Sequence, residues 1–198
     1  MAAFDLLAEA TVGSGNATNI VFTSAGSTNP WSDYRYLELV TSGKSSYTSA
    51  GAGEECCIQF NSDTSSSGTN YKQTVPYFYG SGSSHDQYVT TTNTYTFMMF
   101  GHTNLHAQSD AEAFSNGRWL IYNHDRDNSD GNQYYPRVLG WNMSPGTQGS
   151  DNAVITYSQG QWEQSAAVTT ITYFPRYGTS PGWREHTTAA LYGYKVSN

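Results

Sequence analysis

Short segments of alternating hydrophobicity run along almost the whole chain, and this two-residue period restricts its fold more than any other feature. Apolar residues at every second position fit a β-strand with one buried face. Clusters of Gly, Ser, Thr and Asn separate the segments, as expected for turns. No window of a dozen residues has the spacing of an amphipathic helix. The sequence therefore predicts an all-β protein.

Eleven candidate strands follow from this pattern. They lie at 4–11, 19–23, 34–41, 55–61, 75–79, 95–100, 118–124, 135–141, 153–157, 168–174 and 189–196. So many short strands do not fit one open sheet. We expect two packed antiparallel sheets, a β-sandwich of jelly-roll type with about 8–11 strands. The 198 residues are enough for one core, and 1–198 is predicted to be a single domain.

Local patterns refine this prediction at three places. Leu37 and Leu39 share one face of their strand and are expected to face the core. Pro76 is expected to interrupt a strand, because proline cannot donate a ladder hydrogen bond. A single helical turn is predicted at 109–112, where Ser and Glu have capping-box spacing.

Segment 95–100 is apolar on both faces. Phe97 and Met99 lie on one face, and Met98 and Phe100 on the other. Because a sandwich core covers only one face, the second needs another cover, from a neighbouring subunit or from a loop of the same chain. Both alternatives stay open, and Met98 and Phe100 are our interface candidates.

The core must be built largely from aromatic rings. The chain has 16 Tyr and 5 Trp but few long aliphatic residues, so most of the Trp side chains are expected to pack inside. Stacking of exposed rings on sugars is the alternative. Trp183 lies in the turn-rich sequence SPGWR and is expected to be exposed or at an interface.

The charge pattern excludes several partners. Nine Lys and Arg residues are spread along a chain of net charge −7, without the basic run that phosphate contacts require, so nucleic acid is not expected. No stretch approaches the roughly 20 apolar residues of a membrane span, and no membrane partner is expected. The first residues lack the features of a signal peptide, which predicts synthesis in the cytoplasm.

No residue pattern typical of catalysis stands out, and we predict no catalytic residue and no cofactor. The nucleophile motif Gly-x-Ser-x-Gly is absent from the sequence. Adjacent Glu54 and Glu55 would project to opposite sides of a strand and could not flank one glycosidic bond. An enzyme with carboxylates that converge from different strands remains the third alternative.

The most oxygen-rich stretch is DRDNSDGN at 125–132. Asp125, Asp127 and Asp130 are candidate calcium ligands, because calcium prefers oxygen ligands in flexible loops. An EF-hand loop needs Gly at its sixth position, and here Gly131 is seventh. A polar hairpin turn is favoured, and no metal is predicted.

Several short motifs recur in the order found in one family of proteins. IQFNSDT at 58–64, NY at 70–71 and YGSGSS at 79–84 resemble its pattern RFNGDTGSNYS…LYGNGSS. The ending, from GQW at 160–162 through AVTTIT to ALYGYK, is similar to G-x-W…AITSITL…TLYGIK. The opening FDLLA and TVGSG also match, and the match is weakest over 100–152.

This family comprises small virion proteins of bacteriophages that infect marine and freshwater bacteria, cyanophages among them. The resemblance implies a jelly-roll-like, non-enzymatic structural protein at the virion surface, either a capsid decoration or a fibre-like component. It also implies other virion proteins as partners and a homo-oligomer, with a trimer favoured by symmetry. The alternative is a carbohydrate-binding adhesin for a host surface polysaccharide, recognised through Tyr and Trp.

The two cysteines are expected to stay reduced. Cys56 and Cys57 are adjacent on a strand and point to opposite faces, which makes a disulfide between them unfavourable. Cys56 shares its face with Ile58 and Phe60 and should react slowly with thiol reagents. Mass spectrometry of the native protein should show both thiols intact; a two-hydrogen loss at this pair would contradict the prediction.

Overall fold

The computed structural model describes residues 3–24, 30–46, 54–64, 70–81, 84–92, 96–103, 114–122, 124–125, 134–144, 154–176 and 182–195. Twelve strands lie in these ranges: β1 Ala3–Thr11, β2 Ile20–Thr23, β3 Tyr36–Gly43, β4 Glu54–Phe60, β5 Tyr71–Ser81, β6 Ser84–Thr92, β7 Met98–Thr103, β8 Ser115–Tyr122, β9 Arg137–Ser144, β10 Val154–Trp162, β11 Thr170–Pro175 and β12 Thr188–Lys195. One 3-10 turn, Trp31–Asp33, precedes β3. Within the described ranges there is no α-helix, and so none that is long and apolar enough to cross a membrane.

The strands form two antiparallel sheets, which confirms the predicted all-β sandwich. The larger sheet has eight strands in the order β1-β12-β3-β8-β9-β10-β5-β6. The smaller sheet has four strands in the order β2-β11-β4-β7.

Eight of the strands pair as one long antiparallel ribbon that is rolled up. The ribbon pairs are β1 with β12, β2 with β11, β3 with β8 and β4 with β7. When this ribbon folds over on itself, β12 also pairs with β3, and β11 also pairs with β4. The ribbon pairs therefore belong alternately to the larger and the smaller sheet. The hairpins β5–β6 and β9–β10 extend the larger sheet beyond β8.

Two expectations about the strands were wrong. The structure has twelve strands, one more than predicted. The additional strand is β6, whose sequence SHDQYVTTT is mostly polar and lacks clear alternation. Pro76 does not interrupt β5, which runs through it from Tyr71 to Ser81. A proline φ near −65° lies within the extended region, so the strand continues at the cost of one donor. The helical turn predicted at 109–112 lies outside the described residues.

The two sheets pack around a cluster of aromatic rings. Trp119 on β8 contacts Phe100 on β7 and Tyr173 on β11, with ring centroids 5.6 and 6.0 Å apart. Trp183 stacks on Tyr173 at 4.4 Å. Leu37 and Leu39 point into the same cluster, as their alternation predicted. The core is therefore continuous between the sheets.

Glycines on the larger sheet make room for the Trp119 indole. A Cβ at Gly140 would lie 2.0 Å from Cδ1 of Trp119, and one at Gly117 would lie 2.4 Å from its Cη2. Real Cβ atoms do not approach carbon so closely, so the ring occupies the space that side chains at these positions would need.

Replacing Gly140 by Ala is therefore expected to destabilise the fold. Overpacking of a core costs about 1–3 kcal/mol, and each kcal/mol lowers Tm by about 2–4 °C in a domain of this size. Thermal unfolding followed by circular dichroism would measure the shift. Gly13→Ala is the matched control, because nothing lies within 4 Å of a Cβ there. Equal Tm values for the two variants would contradict this packing.

Candidate functional site on the outer face of the large sheet

The middle of strands β9 and β10 turns apolar side chains to solvent and polar side chains inward. On β10, Thr156 and Ser158 are buried while Ile155 and Tyr157 are 37% and 54% exposed. On β9, Asn142 is buried beside two apolar residues that face outward. At these positions polar groups point into the sandwich and apolar groups point out of it. An exposed, contiguous apolar surface of this kind generally marks an interaction site.

Among the side chains that the structure describes, the exposed large apolar residues of the large sheet all project from its outer face. Two lie on β1 at one edge, and the others lie on β9, β10 and β5. They are Phe4, Leu6, Phe78, Leu139, Trp141, Met143, Ile155 and Tyr157. Four of these neighbours, Phe78, Met143, Ile155 and Tyr157, form what we call the apolar patch; within it the rings of Phe78 and Tyr157 meet edge to face at 6.0 Å.

A row of aromatic rings crosses the other half of the same face. Phe4, Tyr194, Tyr36 and Tyr122 stand side by side on β1, β12, β3 and β8, which we call the aromatic ladder. Tyr194 stacks on Tyr36 at 4.7 Å with an interplanar angle of 16°, and Phe4 stacks on Tyr194 at 5.9 Å. Tyr36 and Tyr122 are tilted at 5.7 Å. The ring faces are thus largely used in contacts with one another.

An ion pair lies at the centre of the face. Glu38 on β3 is 2% exposed, and its carboxylate accepts hydrogen bonds from Nε and Nη2 of Arg118 and from the Tyr194 hydroxyl. The Arg118 side chain is half-exposed. A buried carboxylate needs such partners, and the bidentate geometry holds the guanidinium plane in a fixed orientation.

Between the ladder and β10 the face opens into a groove of about 620 Å³, which we call the aromatic groove. Its lining comprises Tyr36, Glu38, Arg118, Leu120, Tyr122, Leu139, Gly140, Trp141, Tyr157 and Tyr194. The volume is within the roughly 300–1,000 Å³ typical of small-ligand sites, which are also mainly apolar with a few polar groups.

The pKa values of three proton donors in the aromatic groove are raised. Burial raises the pKa of the Tyr122 phenol. Burial, followed by the hydrogen bond to Glu38, also raises the pKa of Tyr194. The hydrogen bonds to Glu38 raise the pKa of Arg118. Tyr122, Tyr194 and Arg118 are therefore hydroxyl and guanidinium donors at neutral pH.

The three sequence-predicted interface residues are not on this surface. Met98 and Phe100 are 0% and 1% exposed and point into the core, and Trp183 is 0% exposed. Their assignment as interface residues is corrected: they fill the interior of a single chain. Burial of the Trp183 indole is favourable because its Nε1 donates a hydrogen bond to the Tyr173 carbonyl oxygen at 3.1 Å.

The doubly apolar strand β7 is covered from within the chain. On its second face Met99 is 1% exposed. Nη1 of Arg176 lies 3.6 Å from the Met99 sulfur, and Phe97 meets Phe174 edge to face at 5.5 Å. Intramolecular cover, the alternative that the sequence left open, is the one observed. Cys57 is buried on this side as well, although only Cys56 was expected to be.

The candidate calcium loop is described only at its start. Asp125 is exposed, and Asp127 and Asp130 lie outside the described residues. Among the residues that are described, no group of three or more His, Cys, Asp and Glu side chains could hold a metal ion.

The sequence pattern does not predict the apolar outer face, whereas its prediction for the Trp residues as a group holds. Trp31, Trp119, Trp162 and Trp183 are buried, so the prediction that most of them pack inside is confirmed. The exposed one is Trp141. The sequence signal for Trp141 is the alternation in β9, where Leu139, Trp141 and Met143 share one face and Gly140 and Asn142 share the other.

Comparisons with known proteins identify no relative of this chain. No family model, no curated protein and no solved structure matches it. The resemblance of its short motifs to phage virion proteins therefore stays a prediction.

The buried ion pair should contribute measurably to stability. Glu38→Gln removes the charge while it keeps the shape, and it leaves Arg118 without its carboxylate. Because Arg118 is half-exposed, we expect a loss of about 1–2 kcal/mol in the free energy of unfolding.

Chemical denaturation would measure this loss. Glu163→Gln is the control, since its ion pair with Lys72 is more exposed and should be worth less than about 1 kcal/mol. A larger loss at Glu163 than at Glu38 would contradict the central role of the Glu38 pair.

Proposed function

We propose that the protein is a non-enzymatic structural component of a bacteriophage particle, displayed at the virion surface as a capsid decoration or fibre-like part. The inverted strands β9 and β10 carry this proposal, because they turn an apolar surface outward on a chain with a complete core of its own. The particle is assigned to a bacteriophage because the short sequence motifs resemble those of phage virion proteins and occur in the same order.

We further propose that the fold is a jelly roll with two inserted hairpins. The nested ribbon pairs are what rolling an eight-stranded hairpin produces, and jelly rolls are such double-sheet structures of viral capsids and lectins. The insertions β5–β6 and β9–β10 provide the strands that bear the apolar patch. They thus add an assembly surface to a common scaffold.

The apolar patch is suited to a contact with another copy of the chain. Its residues lie on β9, β10 and β5, so a contact through the patch leaves Arg118 and the aromatic ladder uncovered. The patch would form the apolar centre of this contact, with charged residues such as Lys72 and Arg137 at the rim. A closed homotrimer is the expected assembly.

Charge placed in the apolar patch should prevent assembly without unfolding the chain. Met143→Lys and Ile155→Lys each add a cation at a side chain that is exposed in the single chain and desolvated in the oligomer. Sedimentation velocity should show a wild-type oligomer and folded monomeric variants.

Val21→Lys is the control for this experiment. Val21 is 52% exposed on β2, in the smaller sheet, and its variant should remain oligomeric. Unchanged oligomers for both patch variants, or a wild type that is monomeric at high concentration, would contradict the proposed contact.

The virion role is tested separately by electron microscopy of phage particles labelled with an antibody to this protein. The proposal requires label at a regular position on the head or tail. Particles that carry no label, with the protein found only in the infected-cell lysate, would overturn it.

A further inference from the structure

The aromatic groove has a polar centre that subunit assembly does not explain. Glu38 is almost fully buried there and is neutralised by Arg118, while the guanidinium of Arg118 still faces the groove. Glu38 engages its Nε and Nη2, and the Tyr194 hydroxyl is a further hydrogen-bond partner of the guanidinium. A guanidinium has five N–H donors, so about two remain for a ligand.

We infer that the aromatic groove binds a neutral oligosaccharide, with Arg118 as its hydrogen-bonding anchor and Trp141 as its stacking ring. This extends the structural role proposed above to recognition of a surface glycan. It does not depend on the protein being a virion part.

Trp141 is the ring best placed to stack on a sugar. It lies directly opposite Arg118 across the β8–β9 pair and is 38% exposed. In the part of the chain that the structure describes, no other ring packs against it. The ladder rings Tyr36 and Tyr194 instead use their faces on each other and present hydroxyl groups and edges. A pyranose ring has an apolar C–H face for Trp141 and hydroxyl groups for Arg118 in one rigid unit.

The charges select a neutral ligand. Glu38 and Arg118 cancel within the groove, so no net charge is left for an ionic ligand. The chain as a whole carries −7, which repels acidic polysaccharides at long range. Uncharged hydroxyl groups match both conditions.

The same groups make a protein side chain a poor occupant. An apolar protein surface pressed onto the groove would leave the remaining Arg118 donors unpaired and desolvated, which is costly for a charged group. A polyol supplies acceptors for them. The apolar patch meets the groove at Tyr157 but has no charged side chain among its four residues, so it is suited to a protein surface instead.

The experiment is binding of the purified full chain to an array of neutral gluco-, galacto- and manno-oligosaccharides printed beside uronic-acid oligosaccharides. We expect binding to at least one neutral class, with its Kd then measured by isothermal titration calorimetry. Trp141→Ala should weaken that binding at least about tenfold, because it removes the stacking surface. Arg118→Lys should also weaken it about tenfold: lysine keeps the charge beside Glu38 but lacks the planar set of donors.

Two further variants separate a binding effect from damage to the fold. Trp141→Phe keeps a ring and should bind with intermediate affinity. Tyr134→Ala truncates an equally exposed ring outside the groove lining and should bind like the wild type. Each variant must keep the wild-type circular dichroism spectrum, and Arg118→Lys gives a second route if Trp141→Ala does not fold.

Three results would overturn the inference: no neutral oligosaccharide bound at millimolar concentration, acidic oligosaccharides bound in preference, or wild-type affinity in both Trp141→Ala and Arg118→Lys. Any of these leaves the antibody labelling of particles unaffected, so failure of glycan binding is distinct from failure of the virion role.

Discussion

The position of Trp119 between the two sheets determines much of the rest of the structure. Its indole contacts one ring on β7 and one on β11, and it lies over two glycines of its own sheet. The ring thereby fixes the phase of β8, because residues on a strand alternate between its faces. With Trp119 inside, Arg118 must project from the outer face. The packing of the core and the geometry of the aromatic groove are thus set by two adjacent residues.

Glu38 shows the same coupling on β3. Its neighbours Leu37 and Leu39 are both 0% exposed, so the carboxylate has to leave on the outer side. There it meets Arg118 and the Tyr194 hydroxyl, which together compensate much of the cost of its burial. Core packing on β3 and β8 therefore fixes the positions of Glu38 and Arg118. These groups are preorganised for a ligand.

The sequence predicts the elements of this fold better than its surfaces. Eleven of the twelve strands are predicted from the sequence pattern, and Leu37 and Leu39 lie on the predicted face. The double-sided strand β7 could not be resolved in this way, because its cover comes from Arg176, 77 residues away from Met99 in the chain. The outer face does not follow from alternation, because that rule places the apolar side chains of each strand toward the core. On β9 and β10 that rule assigns Leu139, Ile155 and Tyr157 to the wrong side.

The inversion of β10 has a physical cause and a cost. Trp162 at the end of the strand is 2% exposed, and its Nε1 donates to Asp63 at 2.7 Å. A shift of one residue would bury Ile155 but would also turn Trp162 outward, since it moves every side chain to the opposite face. Losing a buried Trp costs about 3–5 kcal/mol, so Trp162 fixes the phase of the strand.

The middle of β10 then has to accept polar side chains inside. The hydroxyl groups of Thr156 and Ser158 and both amide atoms of Asn142 have no hydrogen-bond partner among the described residues. Each such group costs about 1–3 kcal/mol. Apolar residues at 156 and 158 with polar residues at 155 and 157 would keep Trp162 buried without the cost of these unpaired polar groups. Folding of the single chain thus gives no reason for Ile155 and Tyr157 to face solvent, whereas a partner that covers the apolar patch does.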